Sequence, residues 1–199
     1  SKLLTDEDIK EIKNKISQEI NINLEEAFAE EFSTPDIDNE VKDVYKEFDF
    51  KEIKPKKKSS NLRFVDAISQ GLYQSMEKDD NLILMGQDIA EYGGVFKVTE
   101  GFFKKFGPDR VRNTPICESS IIEVAMGLSI CNTKSVVELQ FSDFITSGFN
   151  PVVNYLAKTY YRWGQNADVV LRMPCGAGVG AGPFHSQTNE AWFTKTPGL

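Results

Sequence analysis

Cysteine is scarce: Cys117, Cys131 and Cys175 are odd in number and show no CxxC spacing. That pattern excludes a disulfide frame and a zinc site and suits reduced thiols in a cytoplasmic protein. Histidine is scarcer still, with His185 alone. No apolar run approaches the roughly twenty residues of a membrane span. Excess positive charge is also missing, since the net charge is −7. Without a basic stripe, a nucleic-acid surface is excluded. Ser1–Asp8 turns acidic after Leu3 and Leu4 and lacks the form of a signal peptide. What remains, 40% apolar and 27% charged residues in a chain of 199, describes an ordinary soluble globular protein, one domain with an appendage or two small units.

The appendage comes first. Thr5 followed by Asp8 matches a capping box with a shortened acid. Ile9, Ile12, Ile16 and Ile20 then lay an apolar stripe along a charged helix. A second helical piece is expected over Leu24–Phe32, ended by Thr34-Pro35. Such helices cannot bury their own apolar faces and need something to dock on. Val44, Tyr45, Phe48 and Phe50 suggest a short aromatic anchor. Lys54–Ser60 reads as a solvated basic linker, with nuclear localisation a weaker alternative.

From Asn61 the texture alternates between α and β. A helix is expected over Phe64–Met76, with Phe64, Val65, Ile68, Leu72 and Met76 on one side. Leu82–Met85 is a wholly apolar run ending at Gly86, as for a strand buried on both faces. A helix follows over Thr99–Phe106, then a strand over Arg110–Asn113. Further on, Ser142 or Asp143 caps a helix running to Tyr161, made irregular by Gly148 and Pro151. Val169–Met173 is one more buried strand. The alternation predicts a parallel sheet with helices on both faces.

The stretch Val111–Phe144 reads as strand, turn, helix, strand. Pro115 keeps Thr114 extended, and helical spacing begins at Ile121. Glu118 therefore sits at the mouth of a helix and at the carboxyl end of a strand, the edge where open α/β sheets bind ligands. Its plainer role is to complement the helix dipole. After the last strand, Cys175–His185 carries Gly176, Gly178, Gly180 and Gly182 at alternate positions. A phosphate cradle is excluded, because there is no Gly-Lys-Ser/Thr and no acidic partner some twenty residues on. The loop instead delivers His185 to the sheet edge that holds Glu118, although a lone histidine is commonly structural. Cys117 lacks a local base that would make it a nucleophile. No Ser-His-Asp order, metal-ligand cluster or glycosidase carboxylate pair presents itself. Asp88, Glu118, Phe144 and His185 converge if the sheet is parallel. A carboxylate, an aromatic face and a glycine-lined approach suit a flat heteroaromatic cofactor.

Several segments carry a resemblance. Gly86-Gln-Asp-Ile-Ala, Gly93-Gly-Val-Phe, Arg110-Val-Arg-Asn-Thr-Pro-Ile-Cys-Glu118, Glu138-Leu-Gln-Phe-Ser-Asp-Phe144, Ala157-Lys-Thr-Tyr-Tyr-Arg-Trp-Gly164 and the segment from His185-Ser-Gln to Pro-Gly-Leu199 are similar to the β subunits of thiamine-diphosphate-dependent 2-oxo acid dehydrogenases. These are the E1 components of the branched-chain and pyruvate complexes. The resemblance covers about residues 61–199. Residues 1–53, with Asp43-Val-Tyr-Lys-Glu, resemble the tail of the α subunit. The expected organisation is therefore a helical tail over 1–53, a linker over 54–60, and a pyrimidine-binding domain over 61–199, truncated at its C-terminus.

The resemblance implies an α/β thiamine-diphosphate-binding fold, and it implies roles. Glu118 would hold the pyrimidine nitrogen, Phe144 would stack on the ring and Asp88 would contribute to the cofactor site. His185 would act as an acid in acyl transfer to the lipoyl arm of E2. Backbone carbonyls at Val169 and Val170 would bind potassium, and Mg²⁺ would be held by the α part. Partners would be that α part, a second β copy and lipoylated E2, with no nucleic acid or membrane. The substrate would be a 2-oxo acid, branched-chain first because Thr-Pro-Ile-Cys-Glu and Gln-Phe-Ser-Asp-Phe lie closest to that branch. Pyruvate, another transketolase-like thiamine enzyme and a non-catalytic assembly module are the alternatives. The sequence departs from the family at Gln87, usually Glu, and at Lys195, usually His. Ile121-Ile-Glu-Val is bulkier than usual. The diphosphate motif Gly-Asp-Gly…Asn-Asn is not among these residues, so the chain alone is expected to be inactive.

Overall fold

The computed structural model describes residues 3–52, 54 and 59–199, so residues 55–58 of the basic linker lie outside the described residues. Two compact units emerge, Ser1–Ile37 and Asp38–Leu199. The first is essentially one helix, α1 (Asp6–Ala29). Its N-terminus is the expected capping box: Asp8 N–H donates to Thr5 Oγ1 at 3.1 Å and Thr5 N–H donates to Asp8 Oδ2 at 2.7 Å. The two separate helical pieces expected here are a single one. Asn21, Ile22 and Asn23 between them include no Gly or Pro to interrupt the hydrogen-bond ladder. None of its residues is buried, and Ile9, Ile12, Ile16 and Ile20 are 39–51% exposed.

The division between the units falls inside α2 (Ile37–Lys42). The aromatic anchor expected after it does not form. Tyr45, Phe48 and Phe50 are exposed, because α2 stops at Lys42 and the chain beyond it has no element to hold the rings.

The larger unit is built on four parallel strands in the order β2-β1-β3-β4. These are β1 (Leu82–Gly86), β2 (Val111–Asn113), β3 (Lys134–Glu138) and β4 (Val169–Arg172). The period of two divides their apolar side chains between two faces. On one face Leu82, Leu84, Val111 and Val136 pack with Met76 of α3 (Phe64–Lys78) and Phe102 of α4 (Phe102–Phe106). On the other, Met85 and Val137 pack with Ile121, Ile122 and Ala125 of α5 (Glu118–Ile130). The expected α/β architecture, a parallel sheet with helices on both faces, is the one observed. Phe64 departs from its assigned side, being exposed at the first position of α3.

Three details differ from expectation for local reasons. The helix predicted over Thr99–Phe106 starts only at Phe102, because Gly101 at φ +82° marks a turn and buried Thr99 donates its hydroxyl to the Ile89 carbonyl at 2.6 Å. The helix expected from Ser142 to Tyr161 breaks into a 3-10 turn (Ser142–Thr146), a π-helical turn (Pro151–Leu156) and α6 (Thr159–Trp163). Pro151 has no N–H to extend the ladder, and at Gly148 a Cβ would lie 2.5 Å from Ile122 Cδ1. Finally, β4 is not a strand buried on both faces. It is the sheet edge among the described residues, and Val170 is 55% exposed.

Candidate functional site

Asp88, Glu118, Phe144 and His185 all lie beyond the carboxyl end of a strand, whereas Val169 and Val170 open β4. β1 ends at Gly86 and delivers Gln87 and Asp88. At Gly86 a Cβ would lie 2.6 Å from the Glu138 carbonyl, so only glycine lets β1 and β3 run this close. β2 ends at Asn113, and Cys117 precedes α5, whose first residue is Glu118. β3 ends at Glu138 and leads to Phe141 and Phe144; β4 ends at Arg172 and leads through the glycine loop to His185.

Glu118 is half-buried, and Gln87 Nε2 donates to its Oε1 at 3.4 Å, a long bond. Gln87 itself is only 6% exposed. Asp88 adopts φ +57°, a left-handed conformation that few residues with a Cβ take up. Its Oδ2 accepts from Gln140 Nε2 at 3.0 Å. The tails of β1 and β2 are clasped by Asn113, which accepts from Ala90 N–H at 2.8 Å and donates to Glu91 Oε2 at 3.0 Å.

Phe144 and His185 are brought together. Their ring centroids are 5.5 Å apart and nearly perpendicular, and Phe141 packs edge-on against both, at 4.9 Å from His185 and 5.8 Å from Phe144. Phe96 closes the group at 5.8 Å from Phe141. His185 Nδ1 is buried without a hydrogen-bond partner. Glu118 and Asp88 connect to this ring cluster through two amides: Glu118 bonds Gln87, the neighbour of Asp88, and Asp88 bonds Gln140, the neighbour of Phe141. Close approach at Gly148, where a Cβ would sit 3.5 Å from the Glu118 carbonyl, ties the segment after Phe144 to the start of α5.

Beneath the site lies an ion pair. Arg172 Nη2 is 3.2 Å from Glu138 Oε2, and the two side chains are 16% and 7% exposed. Burial pushes the Glu138 carboxyl above the usual carboxylate range, opposed by the charge of Arg172. Beside the ring cluster is a cavity of about 390 Å³ with Val65, Ile68, Phe96, Phe141 and Val179 in its walls. Val169 and Val170, expected to offer carbonyls to potassium, lie on edge strand β4, paired to β3 at Ser135 and Val136. Among the described residues no three His, Cys, Asp or Glu side chains gather as a metal centre. None of the described helices is long and apolar enough to cross a membrane.

Four participants escaped sequence reasoning. Gln87 registered only as a departure from the family, yet its amide is the group that meets Glu118. Gln140, Phe141 and Asp143 stand inside the quoted Glu138–Phe144 segment, and only the fold shows what each touches. Phe141 and Phe144 are three apart, the spacing that lets two rings share one side of a 3-10 turn.

Residues 60–199 match the family model of the transketolase pyrimidine-binding domain. The chain belongs to that family. The similarity to E1 β subunits found in the sequence is borne out by named relatives. The 2-oxoisovalerate dehydrogenase subunit beta of Bacillus subtilis (strain 168) is 37% identical over 142 residues, which is 70% of this chain and 43% of that protein. The pyruvate dehydrogenase E1 component subunit beta of Acholeplasma laidlawii is 41% identical over 140 residues, 69% of this chain and 43% of that protein. A solved structure, a split-gene transketolase described as an inactive β4 tetramer, superposes with a TM-score of 0.50 at 19% identity. It covers 66% of this chain and 39% of its own, and supports the fold alone. The chain spans about two fifths of the length of the curated relatives it matches.

Proposed function

We propose that this chain supplies the pyrimidine-binding part of the E1 component of a 2-oxo acid dehydrogenase. That enzyme decarboxylates a branched-chain 2-oxo acid oxidatively and passes the acyl group to the lipoyl group of E2. The observation that carries the reading is Glu118: a half-buried carboxylate at the first residue of α5 that, among the described residues, is met by the long Gln87 contact, at the sheet edge from which Phe144 and His185 also come.

The residues present fit thiamine diphosphate. Glu118 keeps acceptor capacity for a ring N–H, because a carboxylate offers about four lone-pair sites. Phe144 packs a flat ring, and Asp88, held by Gln140, borders the same edge. When bound, thiamine diphosphate supplies the nucleophilic carbon and the electron sink that decarboxylation needs. Gln87 orients Glu118 by donating to Oε1. His185 has its Nδ1 buried against Phe141 and Phe144, so Nε2 is the nitrogen that exchanges a proton with substrate. Mg²⁺ and the diphosphate belong to an α part, potassium to the carbonyls of Val169 and Val170, and a second β copy and lipoylated E2 complete the assembly. The cytoplasm suits its reduced cysteines.

Pyruvate is the second substrate reading, since relatives named for either substrate match at similar identity, 37% and 40% for the branched-chain kind and 37% and 41% for the pyruvate kind. Turnover of the complete enzyme with 3-methyl-2-oxobutanoate and with pyruvate separates the two. Glu118→Gln in the complete enzyme tests the reading itself. An acid–base role predicts a loss of at least a hundredfold in rate, whereas an assembly module predicts unchanged turnover.

A further inference from the structure

A histidine at the end of a glycine-rich loop has little of its own to hold it. Gly176, Gly180 and Gly182 all adopt positive φ, and the His185 N–H donates to the Gly182 carbonyl at 3.3 Å, a bond inside the loop itself. What fixes the loop lies beyond the neighbouring strand, in the 3-10 turn after β3. Asp143 is 7% exposed, and its Oδ1 accepts from both the backbone N–H of Gln187, at 3.3 Å, and the Gln187 side-chain amide, at 2.9 Å. Ser142 adds two holds: its hydroxyl donates to the Gln187 carbonyl, and its own carbonyl accepts from buried Asn189 at 2.8 Å. Ser142 N–H in turn donates to the Pro174 carbonyl at 2.8 Å, which ties the turn to the start of the loop.

The same short turn therefore carries Phe144, which packs on His185, and Asp143, which grips the chain two residues beyond it. Position and orientation of the imidazole are set by one rigid piece. The second oxygen of Asp143, Oδ2, is buried with no partner. A half-satisfied buried carboxylate is costly, so loop fastening for stability alone does not explain it.

We propose that Asp143 is the positioning residue for His185, acting through Gln187 to hold the imidazole against Phe141 and Phe144. The consequence for catalysis rests on the reading of His185 as the acid–base group; the clamp itself does not. A group held in place by hydrogen bonds to its neighbours loses roughly a hundredfold in rate when it drifts by about an ångström.

Because His185 is the only histidine, its ring protons can be followed by NMR in the tag-free chain without any assignment problem. Packed between two phenylalanine rings, they carry ring-current shifts away from free histidine. Asp143→Ala is expected to move them toward the free value, and Asp143→Asn to restore them, since its carbonyl oxygen still accepts both Gln187 bonds. Gln187→Ala, at an exposed position, is expected to shift them the same way, and the double variant D143A/Q187A no further than D143A. Gln187→Ala also keeps the test open if Asp143→Ala fails to fold. In the complete enzyme D143A is expected to lose roughly a hundredfold in kcat for acyl transfer, with KM for the 2-oxo acid little changed and D143N restoring the rate. Unmoved His185 signals in folded D143A and Q187A would overturn the proposal, as would shifts that simply add. Displaced signals with full turnover would support the clamp and overturn the role given to His185.

Discussion

Gln87 and Glu118 are what a single pair of residues contributes to the site. A carboxylate at position 87 would have faced Glu118 as a second acceptor, and two charges that close repel. The amide instead donates, and it lies in a buried position where a lost partner is expensive. Gln87→Leu is expected to lower cofactor affinity of the complete enzyme about tenfold, the worth of one hydrogen bond to a charged group, with the melting temperature little changed. Arg172 and Glu138 give a second residue-level prediction. Arg172→Met leaves Glu138 buried and unpaired, at a cost of about 3 kcal/mol in denaturant unfolding. The double variant R172M/E138Q recovers much of it. The pH dependence follows from the raised Glu138 carboxyl. Above the ordinary value of 4.5 the unfolded chain has released this proton while the folded chain retains it. Stability contributed by this group is full below that pH and is lost as pH rises through the folded pKa. Denaturant midpoints taken across that window should fall more steeply for the wild type than for R172M/E138Q.

At the scale of elements, close strand approach decides the shape of the site. Gly86 lets the carboxyl ends of β1 and β3 lie together, and Gln87, Asp88 and Gln140 follow directly from those ends. Gly86→Ala would force a methyl into the Glu138 carbonyl, costing about 1–3 kcal/mol, and should reduce cofactor binding in the complete enzyme as the amides part. The elements themselves were mostly legible. α3 and α5 follow from an apolar spacing with a period near 3.6, and β1 from a short, wholly apolar run ending in glycine. α1 was legible in its capping box but not in its length, since weak helix formers at Asn21 and Asn23 look like a boundary until the ladder is seen to continue. The 142–161 region was misread for a stronger reason. Its apolar pattern is helical, but packing of Gly148 on Ile122 and the missing N–H of Pro151 divide it into three turns. β4 has the composition of a buried strand, and nothing local distinguishes an edge from a centre.

For the whole molecule, the chain spans about two fifths of its curated relatives, and the reading proposed above gives it half of a cofactor site. The chain alone is accordingly expected to bind thiamine diphosphate with Mg²⁺ only weakly and to show no turnover. Isothermal titration measures this directly, and sub-micromolar binding by the isolated chain would contradict it. Family and fold class were within reach of the sequence, because alternating helix and strand periods, and the motif from Arg110 to Glu118, are local properties of the chain. The placing of Glu118 at a strand end was local too, through Pro115 and the helical spacing after it. The partnership of Gln87 with Glu118, of Asp143 with Gln187, and of two rings with one imidazole was decided only in the tertiary structure. Each joins residues from different strand ends, and which ends become neighbours depends on strand order and register, quantities that no single segment carries.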